Sequence, residues 1–240
     1  MLTALLAASL LSLNAPVTSG LAAAAATQAP APGFRLVAAT ARVDYFAMDD
    51  SPSRADDARR VERMLEEIER RIGQRGPERL SYYRVTYAAD MERITGRPIS
   101  GITDRKGRRI VSAVAVHEHE LVHAVAIALG DPGRFFHEGL AVAQSDDRAW
   151  KGKRLRVAAR AALDKRPLPG FWSDFDGAPS PQAYAVAGGF VEHLIAAYGL
   201  PKVLEFFRGC PSCPRDEMFA RTFGVTMAEA GASWSANLRH

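Results

Sequence analysis

At 240 residues the chain fits one domain, or at most two, and is long enough to bury a full core without disulfide or metal staples. A composition of 48% hydrophobic and 24% charged residues excludes intrinsic disorder, collagen and coiled-coil arrays. Basic residues number 31 against 27 acidic, a net charge of +4 with no long block of either sign, so no nucleic-acid partner is expected.

Residues 1–33 carry no charged side chain, and a leucine- and alanine-rich stretch runs from Leu2 to Leu13. This predicts a signal peptide over 1–26, with small residues at 22–26 offering A-x-A cleavage sites, then a flexible mature start over 27–33 marked by Pro30 and Pro32. The pattern departs from the usual one in having no Lys or Arg before Arg35. Asn14, Pro16 and Gly20 interrupt the stretch before it reaches about 20 apolar residues, and no later run is that long. The expectation is therefore an exported chain, periplasmic or secreted, whose mature part does not insert stably into a membrane.

Along the mature chain, residues 34–46 read as one or two strands. Val61, Met64, Leu65, Ile68 and Ile72 then recur at helical spacing, with Arg59, Arg60, Glu66, Arg70 and Arg71 on the other face and Gly73 and Gly76 ending the pattern. Tyr82, Tyr83, Val85 and Tyr87 give a strand, residues 96–107 a turn-rich connection, and 110–116 a further apolar strand. No repeat and no linker divides residues 34–240. The basic stretch 151–165 reads as a solvated amphipathic face.

The segment with chemical content is His119-Glu120-Leu121-Val122-His123, inside a run rich in alanine and leucine that favours a helix ending near Gly130. Histidines four apart stand one turn from each other on one helical face and can grip a single zinc ion. Glu120, about 100° around the axis from His119, is placed to reach a water at the metal and act as general base. Chance placement of six histidines and thirteen glutamates yields this pattern at about 0.8%, so the match carries weight and needs context. Four of the six histidines lie within residues 117–137.

A hydrolytic zinc site wants a third protein ligand and one open position. The metzincin position, six residues after His123, is Leu129, which excludes that class. Glu138 is the better candidate. It sits in Phe135-Phe136-His137-Glu138-Gly139-Leu140-Ala141, where the aromatics can bury while Gly139 and Ala141 let this helix approach the first. His117, His137, Asp146 and Asp147 stay open as alternative ligands or as groups orienting a ligand.

These two motifs, H-E-x-x-H and aromatic-x-x-E-G-x-A, resemble those of the gluzincin zinc metallopeptidases, specifically the small bacterial peptidase MA-like domains. The segment from Tyr184 to Leu200, and that from Phe223 to Trp234, resemble the family's later helices. The likeness extends over residues 34–240. It implies an α+β, zincin-like domain with a small N-terminal mixed sheet and a mainly helical C-terminal half. It further implies His119, His123 and Glu138 as ligands of one Zn2+ and Glu120 as the base in hydrolysis of a peptide or protein substrate. Tyr184 becomes the candidate oxyanion donor, with His193 as its rival, and the strand over 110–116 is expected near the cleft edge, where an extended peptide would pair. Two other readings remain: a zinc-binding module of this fold that does not cleave, and a thiol redox protein using Cys210 and Cys213. The two cysteines, three apart between helices, are expected to form a local disulfide instead.

Overall fold

A computed structural model describes residues 33–145, 149–150, 152–177, 179–210 and 215–239. The predicted signal peptide, together with Asp146, Asp147 and Cys213, lies outside these residues. Among the described residues the chain is α+β, with a small mixed sheet in its first half and helices dominating the second.

Strands β1 (Arg35–Ala39) and β2 (Val43–Ala47) form an antiparallel pair, as the sequence suggests. Helix α1 (Arg54–Ile72) crosses back and sets β3 (Leu80–Arg84) parallel to β2. Val61, Leu65, Ile68 and Ile72 of α1 are buried, each contributing roughly 1.5–3 kcal/mol, and Gly73 ends the helix at φ +68°. In the same core Tyr45 and Tyr82 stack with ring centroids 5.2 Å apart. Their hydroxyls donate to the carbonyls of Ala115 and Val114, which fixes the segment leading into the next helix.

The sequence reading needs three corrections here. Tyr87 does not continue β3; it is 70% exposed and precedes a short helix, α2 (Ala88–Thr95), whose Met91 packs with Phe34, Phe46, Tyr83 and Val85. The connection over 96–107 contains a strand, β4 (Gly101–Thr103). The strand expected over 110–116 is β5 (Arg109–Ser112) only, and it is internal: the order is β1-β2-β3-β5-β4, so the edge belongs to β4. β5 stops at Ser112 because that hydroxyl accepts from the Val114 N–H, a local bond that competes with the ladder.

The second half opens with α3 (Glu118–Ala126) and α4 (Arg134–Ala143), followed by a ribbon of β6 (Ala149–Trp150) and β7 (Lys153–Arg154). Next come α5 (Leu155–Leu163), α6 (Leu168–Trp172), a 3-10 turn (Ser173–Asp176), α7 (Pro181–Tyr198), α8 (Leu200–Arg208), α9 (Arg215–Phe223) and α10 (Met227–Asn237). The Ser180 side chain caps α7 by accepting from the Ala183 N–H, and the Thr226–Glu229 capping box starts α10. No single helix among the described residues is long and apolar enough to cross a membrane.

α7 is the axis of this half, and α4 lies directly on it. A Cβ at Gly139 would stand 2.6 Å from Val191 Cγ2 and 2.7 Å from the Ala187 carbonyl oxygen. One at Gly188 would collide with Val142. Gly139 thus serves the approach of α4 to α7, not to α3 as the sequence suggested. Phe136 packs beside this contact, 6.4 Å from Phe190 of α7 and 4.8 Å from Phe206 of α8 between ring centroids. Gly139→Ala is expected to lower stability by about 1–3 kcal/mol, read by denaturant unfolding, because the clash is partly with backbone and cannot relax by a rotamer change. Unchanged stability would show that the helices are not in this tight register.

Candidate metal and catalytic centre

α3 runs through alanine, valine and leucine with no Gly or Pro, and Glu118 and Glu120 in its first turn sit at the favourable end of the helix dipole. Leu121, Val122 and Val125 bury in the core. His119 and His123 occupy another stripe of the helix, which meets α4. Glu118 turns elsewhere and pairs with Arg71 of α1 at 2.7 Å. In α4, Phe135 and Phe136 are buried and fix the rotation that brings Glu138 toward α3.

The structure brings His119, His123 and Glu138 together in a triangle. His119 Nε2 lies 3.2 Å from Glu138 Oε2, His123 Nε2 lies 3.2 Å from the same oxygen, and the two Nε2 atoms are 3.2 Å apart. An ion about 2.0–2.1 Å from all three would see each pair at about 99–106°, near the ~109° of a tetrahedron, with the fourth position pointing off the triangle. Side-chain exposures of 17%, 13% and 13% leave the cluster recessed.

The electrostatics favour positive charge at this point. Burial alone would raise the Glu138 carboxyl, but the hydrogen bonds and charges of the two imidazoles outweigh it and hold it well below the usual carboxylate range. Burial alone would lower His123, but Glu138 outweighs that and raises it. A cation placed among the three atoms would take over the role that the proton plays in this balance.

Glu120 is 6% exposed and stands beside the triangle without joining it. Its Oε2 accepts a 2.7 Å hydrogen bond from the Thr103 hydroxyl of β4, which also lies 3.0 Å from the Glu120 backbone oxygen. Next to it, a Cβ at Gly101 would stand 2.7 Å from Glu120 Cγ and collide with the His117 ring. The edge strand can reach the base only because position 101 has no side chain. Gly101→Val is therefore expected to push β4 away and disorder Glu120, visible as a lowered melting temperature. A variant as stable as the wild type would contradict this.

His117 stands outside the cluster, its ring centroid 6.2 Å from that of His119; its Nδ1 shares a 2.9 Å hydrogen bond with the buried Ser112 hydroxyl, and burial lowers its pKa to about 4. His137 donates from Nε2 to the Gly130 carbonyl at 2.9 Å and sets its ring against Phe207, and it is not one of the three clustered residues. Asp146 and Asp147 lie outside the described residues.

Tyr184, near the start of α7, packs edge-on against Phe175 at 5.5 Å, with the Arg134 guanidinium close by. Burial first, and the charge of Glu138 second, raise its pKa, so the hydroxyl stays protonated at neutral pH. His193 is nine residues further along α7, about 180° around the helix, and only burial perturbs it. Of the two rival donors, Tyr184 is the one near the cluster.

Sequence reasoning missed Thr103, Gly101 and Arg134. Arg134 Nε lies 3.6 Å from Glu138 Oε1, and its Nη1 donates to the Gly177 carbonyl at 3.1 Å. Its i,i+4 spacing to Glu138 was a readable signal. Thr103 and Gly101 had none, because only the sheet order carries them to α3.

Cys210, after α8, is buried and disulfide-bonded, and its carbonyl accepts from the Asp131 N–H at 3.1 Å. The burial of Cys210 fits a structural role for its disulfide. No family model matches the chain, and neither a curated protein nor a solved structure matches it significantly.

Proposed function

We propose that the protein is an exported zinc metallopeptidase of the gluzincin type, with His119, His123 and Glu138 as the metal ligands. The observation that carries this reading is the triangle of two imidazole nitrogens and one carboxylate oxygen at equal 3.2 Å separations, beside a carboxylate that does not belong to it. Two imidazoles and one carboxylate with one open position make up a zinc donor set used in hydrolysis.

Bound there, zinc would supply Lewis acidity, making a water more acidic and polarising a scissile carbonyl. Glu120 accepts the water's proton and returns it to the departing amine. Thr103 keeps that carboxylate aimed by donating to Oε2. Tyr184, held protonated, donates to the oxygen on which negative charge develops. Ser112 keeps His117 bonded on the sheet side, leaving the open position to substrate. The internal position of β5 moves the expected peptide-pairing edge to β4, whose Gly101 and Thr103 already contact Glu120 or flank it.

The test is elemental mass spectrometry on protein purified without added metal, followed by cleavage of a peptide library with and without 1,10-phenanthroline. About one zinc per chain and chelator-sensitive cleavage are expected. Stoichiometric zinc with no cleavage would favour a zinc-binding module of the same fold, and absence of zinc would overturn the assignment.

A further inference from the structure

Away from the metal cluster, α5, α6 and α10 enclose a groove of about 470 Å³. None of its lining residues belongs to the cluster. Leu163, Leu168, Met227 and Leu238 give it an apolar floor. Gly231 lets α10 close on Leu168 of that floor; a Cβ there would stand 2.6 Å from Leu168 Cδ2. Trp172 also lines the groove; its indole N–H is buried and has no acceptor among the described residues.

The mouth is cationic. Arg160, Lys165 and Arg239 line it, all exposed, and none is in an ion pair among the described residues. Arg166 is committed, bonded to Asp174 through both Nη atoms and stacked 4.9 Å over Phe171. The lining contains one acidic residue, Asp164. Three uncommitted cations against one anion, above a hydrocarbon floor, match a ligand with an apolar tail and an anionic head. The volume falls within the roughly 300–1,000 Å³ range of small-molecule sites, which are also mostly apolar with a few placed polar groups.

We propose that the α5–α6–α10 groove binds an anionic amphiphile, a carboxylate on a hydrocarbon chain, with the tail on Leu168 and Met227 and the carboxylate among Arg160, Lys165 and Arg239. This site is independent of the metal assignment.

The probes are sodium decanoate, 1-decanol and decyltrimethylammonium, titrated into the full chain below their aggregation concentrations and followed by calorimetry and tryptophan fluorescence. Two surface variants accompany the wild type. Lys165→Glu with Arg239→Glu reverses the charge at the mouth, and Ala232→Trp places a bulky ring at an exposed position of the lining. Saturable decanoate binding is expected, weakened at least tenfold by the charge reversal, abolished by the tryptophan, and weakened by added salt. Equal affinity for decanol or the cationic analogue would overturn the anionic assignment. No saturable binding, or binding unchanged in Ala232→Trp, would overturn the site.

Discussion

Glu120→Gln is expected to lower peptide hydrolysis by roughly 10²–10⁴-fold while zinc content stays at the wild-type level. The substitution is nearly isosteric and its amide oxygen can still accept from Thr103 Oγ1, so the 2.7 Å tether to β4 survives. The triangle does not include this side chain, so metal capture is untouched. What is lost is the carboxylate that accepts the water's proton. The measurement is a side-by-side assay of cleaved library peptides and bound zinc. Turnover retained at the wild-type rate would remove Glu120 from the chemistry, and zinc lost together with turnover would move it into the ligand set.

The second large effect concerns the ligands. Glu138→Ala is expected to weaken zinc binding by more than about 100-fold, since even groups that only support a ligand cost roughly 10–100-fold when removed. The fold should persist, because α4 is held by the buried Phe135 and Phe136 and by the Gly139 contact with α7, none of which involves the carboxylate. Circular dichroism should be unchanged while elemental analysis shows the loss. Because a ligand that binds only the folded state stabilises it by about 2.7 kcal/mol at 100 times its Kd, a chelator should lower the wild-type melting temperature and leave that of Glu138→Ala unmoved. A variant that keeps its zinc would shift the third ligand elsewhere, and equal chelator sensitivity in both proteins would separate the metal from this cluster.

The parts of the molecule legible in the sequence are those set by periodicity within one element. The buried stripe Val61, Leu65, Ile68 and Ile72 predicts α1, and His119 and His123 need only one helical turn to meet. Glu138 required an inference across a loop, made from the aromatic pair that anchors its helix. What escaped was decided by sheet order and by packing. β4 is three residues long in a glycine-rich stretch, too short for any alternation to register, yet its edge position delivers Thr103 to Glu120. Ile110 to Val116 is apolar almost throughout and so predicts a longer strand than β5. Ser112, the polar exception, ends it by bonding to Val114 and His117. Gly139 announced a close contact and did not say with which helix, since a missing side chain carries no direction.

The three cluster residues are also close in sequence, separated by 4, 15 and 19 positions. The sheet is built otherwise: its parallel pairs β2–β3 and β3–β5 each need a crossover, and Tyr45 opposes Tyr82 while Tyr82 opposes Ile110. Closing a short loop costs less chain entropy than closing several long ones, and parallel pairing is slow for that reason. A chain emerging unfolded would therefore gather α3 and α4 into a helical hairpin ahead of the sheet, and zinc present at that moment would be captured by a local unit. On the proposed zinc assignment, folding order would make the metal a participant in assembling the protein, and not only a tenant of the finished site.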